Sequence, residues 1–100
     1  SNVVDIFDVN TGMWSTAVLS QARAAPAAVA IGNKILFGGG SAGSLANISN
    51  IVDIYDVDTG SWSIATLSQP SLNLAAAAAG NLALFAGGAN PSFSNVVDIF

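Results

Sequence analysis

The chain has 100 residues, with two Lys+Arg, six Asp+Glu, no His and no Cys; its net charge is −4, and 52% of it is hydrophobic against 8% charged. No disulfide, zinc knuckle, thiol nucleophile, ordinary catalytic triad or imidazole metal site can be built from such a set. All six acids are aspartates and the only cations are Arg23 and Lys34, so the chain cannot neutralise a phosphate backbone and nucleic acid is not an expected partner.

Cysteine absence leaves the redox compartment open. Residues 59–97 carry no charge, and residues 72–89 are strongly apolar. A membrane span is still not expected there. Asn73, Asn81, Gly80 and the pair Gly87-Gly88 interrupt the segment, and much of its hydropathy comes from alanine. The opening Ser1-Asn2-Val3-Val4-Asp5 has no basic stretch and no Met. It is read as a mature or excised segment without a signal peptide.

In chain order, residues 3–9 predict a strand, being rich in β-branched residues with Phe7 among them. Asp8-Val9-Asn10-Thr11-Gly12 then predicts a hairpin turn, since Gly takes positive φ at little cost. A second strand is expected from Trp14 to Leu19, and Ser20-Gln21 starts a longer connection. A small-residue strand at residues 27–31, a Gly32-Asn33 turn and a strand at 34–37 follow. The chain then meets Gly39-Gly40. The same order recurs. A strand at 51–57 leads to the turn Asp56-Val57-Asp58-Thr59-Gly60 and a strand from Trp62 to Leu67. Ser68-Gln69, the five alanines at 75–79, the turn Gly80-Asn81, a strand at 82–85 and Gly87-Gly88 complete it. Five alanines followed at once by glycine fall short of the roughly 12–15 residues a marginal helix needs, so a strand is expected there.

Internal repetition is the main signal. Ser-Asn-Val-Val-Asp-Ile-Phe at residues 1–7 returns as Ser-Asn-Ile-Val-Asp-Ile-Tyr at 49–55, and unchanged at 94–100, giving offsets of 48 and 45 residues. Residues 1–40 laid on 49–88 without a gap are identical at 24 of 40 positions. Repeat units are therefore expected at 1–48 and 49–93, with a third starting at 94–100. The three-residue difference in length falls in the loop after the glycines, 41–48 in one copy and 89–93 in the other.

These residues resemble the kelch repeat. The family pattern runs from a small-residue strand to an apolar strand ending in diglycine, then to a strand ending in an aromatic and Asp, then to a spaced Trp. Here the order reads Phe37 with Gly39 and Gly40, then Tyr55 and Asp56, then Trp62. The other copy supplies Phe7, Asp8, Trp14, Phe85, Gly87 and Gly88. A basic residue often found before the innermost strand is present once, as Arg23; its equivalent is Ser71. The resemblance implies an all-β fold of kelch-type β-propeller blades, each a four-stranded antiparallel sheet. It also implies an incomplete ring in one chain, because propellers use about 4–8 blades. A blade covered on both faces needs two-sided apolar strands, as in Leu82-Ala83-Leu84-Phe85, and the crowded axis suits the alanine run.

In blade order the chain reads third and fourth strands, a whole blade, then first to third strands. Three arrangements would cover its open faces: a longer tandem array of which this is a piece, self-assembly of copies, or blades stacked along a fibre. The array is the favoured expectation.

Candidate sites are each weighed against architecture. Asp5, Asp53 and Asp98 lie in apolar strands and could ring a metal. Recurrence in every blade instead favours one hydrogen-bond acceptor per blade interface. Asp56-Val57-Asp58-Thr59-Gly60 lacks the further acidic ligands of a calcium loop and is read as a turn. Trp14 and Trp62, with Phe7 and Tyr55, could stack on sugars, but as repeated motif members they are expected in blade packing. Asn47-Ile48-Ser49 is a possible N-glycosylation sequon, whereas Asn90-Pro91-Ser92 is disqualified by its Pro. No base sits beside any Ser or Thr. The copper oxidases that the resemblance brings to mind need His and Cys ligands, so that chemistry is excluded for this segment.

The expected function is a non-catalytic structural or interaction module of tandem kelch-like blades, with no cofactor and no metal. Expected partners are further copies of the repeat, in cis or as an oligomer or fibre, and protein or glycan through loops 41–48 and 89–93. The alternatives are a secreted or cell-surface fibril or coat of the same repeats, and the accessory propeller of an enzyme whose active residues lie elsewhere. Localisation leans towards the extracellular side on the low charge and the sequon.

Overall fold

In a computed structural model the chain is all-β, and residues 2–41, 48–71, 73–89 and 96–100 are described. The strands are β1 (Val3–Asp8), β2 (Met13–Val18), β3 (Ala27–Ile31), β4 (Lys34–Gly38), β5 (Ile51–Asp56), β6 (Trp62–Thr66), β7 (Ala75–Ala79), β8 (Leu82–Ala86) and β9 (Val97–Ile99). They form three antiparallel sheets in the orders β1-β2, β3-β4-β5-β6 and β7-β8-β9. The first is the outer half of a blade, the second a whole blade, and the third the inner three strands of another. No helix among the described residues is long and apolar enough to cross a membrane.

Local chemistry sets the strand limits. Strand β1 stops at Asp8, one residue before the expected end, because the Asp8 side chain turns the chain. Its Oδ1 accepts from the amides of Asn10 (2.8 Å) and Thr11 (3.2 Å). Asp56 repeats the device with the amides of Asp58 (3.0 Å) and Thr59 (3.2 Å). Such Asx turns compete with the ladder and end it. The alanine run is strand β7. Each of its residues pairs with β8, from Ala75 opposite Ala86 to Ala79 opposite Leu82.

Residues directly opposite across a ladder share a face of the sheet. One face of the middle sheet therefore carries Ala28, Ala30, Ile35, Phe37, Asp53, Tyr55, Trp62 and Ile64. The other carries Ala27, Val29, Leu36, Val52, Ile54 and Ala65. The core lies between this second face and the last sheet. It is made of buried Ala27, Leu36, Val52, Leu67, Ala83 and Phe85, with Leu74, Ala76 and Phe100 packed around them. Phe85 is fully buried and meets Phe100 edge to face, with centroids 5.7 Å apart. At roughly 25 cal/mol per Å² of apolar area, this contact is the main force holding two adjacent sheets together.

Candidate functional site

Several of the residues singled out by repetition lie at two seams, one between the first and middle sheets and one between the middle and last. At the first seam Asp53, 2% exposed in strand β5, accepts from the Ser20 hydroxyl at 3.1 Å and from the Ser20 amide at 3.3 Å. At the second seam Asp98 in β9 accepts from the amide of Ser68 at 3.2 Å. Ser20 and Ser68 occupy the same place in the repeat. One aspartate per blade thus ties down the chain that leaves the neighbouring blade. Asp5 occupies the third such position, on the outward face of the first sheet.

The first seam has an addition. Arg23, 5% exposed, reaches Asp53 Oδ2 with its Nη2 at 2.5 Å and donates from Nη1 to the carbonyls of Ile51 (2.6 Å) and Gly39 (3.1 Å). Its Nε–H finds no acceptor among the described residues. Burial pushes the Arg23 guanidinium below its ordinary range, and the Asp53 carboxylate opposes that shift. At the second seam the equivalent residue is Ser71, buried at 3%, whose amide donates to the Ser49 carbonyl at 3.2 Å. Sequence reasoning noted Arg23 as unrepeated but did not place it as an anchor. A lone cation just ahead of an uncharged inner strand was the available signal.

The diglycine passes under the connection to the next blade. Gly40 donates its amide to the Ser71 carbonyl at 2.8 Å. Gly39 has φ of +71°, and a methyl group there would strike that same carbonyl and Leu74. Only a residue without a side chain fits such a crossing. Gly87 and Gly88 take the same left-handed conformation, with φ of 72° and 83°.

The aromatic motif residues form cross-strand pairs. Phe7 and Trp14 have ring centroids 4.9 Å apart, as do Tyr55 and Trp62; Phe37 lies 6.2 Å from Trp62. Their settings differ. Trp62 is half-buried and lines a cleft of about 520 Å³ with Val18, Leu19, Ser20 and Ile64 at the first seam. Trp14 is 70% exposed and Phe7 47%, because no sheet among the described residues covers their face of the first sheet.

In the second turn Lys34 Nζ meets Asp56 Oδ2 at 3.0 Å, and Asn33 donates to Asp56 and Asp58 at 3.3 and 3.0 Å. The Lys34 hydrogen bond, helped by the Thr59 and Asp58 amides, holds the Asp56 carboxyl below the usual carboxylate range. Among the described residues no group of three or more His, Cys, Asp or Glu could hold a metal ion. Asn47, most of loop 41–48 and most of loop 89–93 lie outside the described residues.

A profile of the kelch motif matches residues 22–66, which include the whole middle sheet. No curated protein matches the chain. Among solved structures, the one titled "Structure of YjhT" is similar with a TM-score of 0.69 and 28% identity, over 87% of this chain and 26% of that one. The chain thus spans about a quarter of that protein's length. The motif match falls on the complete blade, and the structural likeness extends across nearly all the chain. Residues 22–66 thus carry a kelch motif, and the chain is built of kelch-type β-propeller blades.

Proposed function

We propose that the chain is a non-catalytic structural and interaction module, a run of blades belonging to a larger propeller array or assembly. Its sequence units, 1–48, 49–93 and the third that starts at 94–100, are read as successive copies of one blade-forming repeat. The observation that carries this reading is what the repeated residues touch. Asp53 and Asp98 hold the connection that leaves the neighbouring blade, and Gly39 and Gly40 admit the connection that crosses them. Motif residues engaged in this way serve blade stacking. Chemistry or recognition would then fall to the loops that differ between repeats, 41–48 and 89–93.

The test is footprinting of Trp14 in the native protein that contains this sequence. In an array a preceding blade covers the face of Phe7 and Trp14, so Trp14 is oxidised by hydroxyl radicals much more slowly than in the dilute isolated chain. Equal rates in the two preparations would remove the array reading.

A further inference from the structure

We propose that β6, the outer strand of the complete blade, pairs edge to edge with β6 of a second copy, in antiparallel register about a two-fold axis at Ile64. Such pairing rests on the reading of the chain as an interaction module, and it names the surface where two copies meet. Hydrogen bonding fixes which groups point outwards. At the two ends of the β5–β6 ladder the Asp56 amide donates to the Ser61 carbonyl at 2.9 Å, and the Leu67 amide to the Asn50 carbonyl at 2.7 Å. Bonded and non-bonded pairs alternate between these ends. Ser63 and Ala65, opposite Ile54 and Val52, are therefore the residues bonded to β5. Trp62, Ile64 and Thr66 direct their N–H and C=O groups away from the blade. No strand among the described residues pairs with that edge.

The edge lacks the protection that edge strands usually carry, a lysine, a proline or a bulge that deters pairing. Residues 61–67, Ser-Trp-Ser-Ile-Ala-Thr-Leu, hold no charge and no proline. The β5–β6 register runs without a bulge. Of the large apolar residues in the middle sheet's strands, Ile64 alone is exposed, at 60%. It is exposed although the outer strand of the neighbouring blade is in place beside it, with Val18 of β2 lining the same cleft. By the same alternation β2 turns Trp14, Thr16 and Val18 outwards, again without a charge.

A second copy is the occupant this edge fits. Turning β6 about Ile64 sets Ile64 opposite Ile64 of the second copy, Trp62 opposite Thr66 and Ser63 opposite Ala65. The outward groups of Trp62, Ile64 and Thr66 then face the same groups of the copy, so each donor meets an acceptor. These three side chains share one face of the sheet, and the two exposed isoleucines bury each other. The chain carries a net charge of −4, which opposes contact between copies in general. At β6 no carboxylate stands opposite another. The product is one sheet of eight strands running through two copies, an isologous contact made by strand addition. Five residues a side make a small interface, so it forms at high protein concentration.

The chain has no cysteine, so a single introduced thiol reports the register. Directly opposed, bonded residues have Cα atoms about 5.5 Å apart, within disulfide range. The full chain carrying Ile64→Cys should therefore give a disulfide-linked dimer on mild oxidation with diamide at millimolar concentration. Ser63→Cys, also at an exposed position, should give none. Its two thiols would stand two residues out of step, with Cα atoms about 8 Å apart and beyond the limit of about 7 Å. Circular dichroism of both variants should match that of the native chain. Sedimentation of the unmodified chain at the same concentration should show association, weakened in Ile64→Lys. No dimer from Ile64→Cys, or equal yields from the two cysteine variants, the mark of random collision, overturns the proposal. So does a native chain that stays monomeric, or association that Ile64→Lys leaves unchanged. None of these outcomes touches the array reading, which is decided on Trp14 in the native protein.

Discussion

Gly38 lies under the ring of Phe85 at the centre of the second seam, so close that a methyl group on Gly38 would stand 2.8 Å from the ring's Cε1. Phe85 is fully buried and has nowhere to retreat. Gly38→Ala should therefore destabilise the chain by about 1–3 kcal/mol, the usual cost of overpacking. Gly38→Ala combined with Phe85→Leu should recover part of that loss. Urea midpoints of the two variants check this, and additive losses would contradict it.

The division into strands was legible because it depends on local chemistry. Asp8 and Asp56 turn the chain with their own side chains, and runs of β-branched or apolar residues between such turns mark the strands. The role of Asp53 was legible for a related reason: a carboxylate recurring in apolar strands must find donors, and Ser20 supplies them. Two features were hidden. Arg23 meets Asp53 across 30 residues of sequence, and no local pattern reports such a pairing. The exposures of Trp14 and Trp62 differ although they occupy the same motif position. The difference depends on which sheets flank them, and a repeat pattern does not encode its own ends.

That contrast gives a second prediction. Trp62 is half-buried between Tyr55 and Phe37, whereas Trp14 is 70% exposed. In the dilute single chain, Trp62→Ala should cost roughly 2–3 kcal/mol, below the 3–5 expected of a fully buried ring. Trp14→Ala should stay within about 0.5–1 kcal/mol, the scale of an exposed cross-strand aromatic pair. Thermal melts at low concentration distinguish them, and equal losses would contradict the assignment of the open face.

Acid should weaken the turn that Asp56 organises. Its carboxyl titrates lower in the folded chain than in the unfolded one, mainly through the Lys34 hydrogen bond. The unfolded chain then binds the proton at higher pH. The contribution to stability is fully present above the unfolded value and is lost as pH falls through the folded one. The carboxylate is solvent-accessible, so the effect is small and screened by salt. Urea midpoints measured from neutral pH downwards should fall less steeply in Asp56→Asn than in the native chain. Lys34→Met should lie between the two, and an unchanged acid slope in both would contradict the assignment.

The first seam should respond unequally to loss of either partner in its ion pair. Asp53→Ala leaves the Arg23 guanidinium buried among carbonyls with no counter-charge, and the Ser20 hydroxyl loses its acceptor. Breaking a buried pair in this way costs about 3–5 kcal/mol. Arg23→Met removes the cation, yet the Ser20 amide and hydroxyl still hold Asp53. The second seam shows that such an arrangement is viable, for Asp98 and Ser68 meet there with Ser71 in the place of arginine. The arginine variant should therefore lose less than the aspartate variant. The double variant Arg23→Met with Asp53→Ala should lose less than the two single losses added together. A double-mutant cycle in urea measures that coupling. Strict additivity would show that Arg23 is held by the Gly39 and Ile51 carbonyls alone, and that the carboxylate acts only on Ser20.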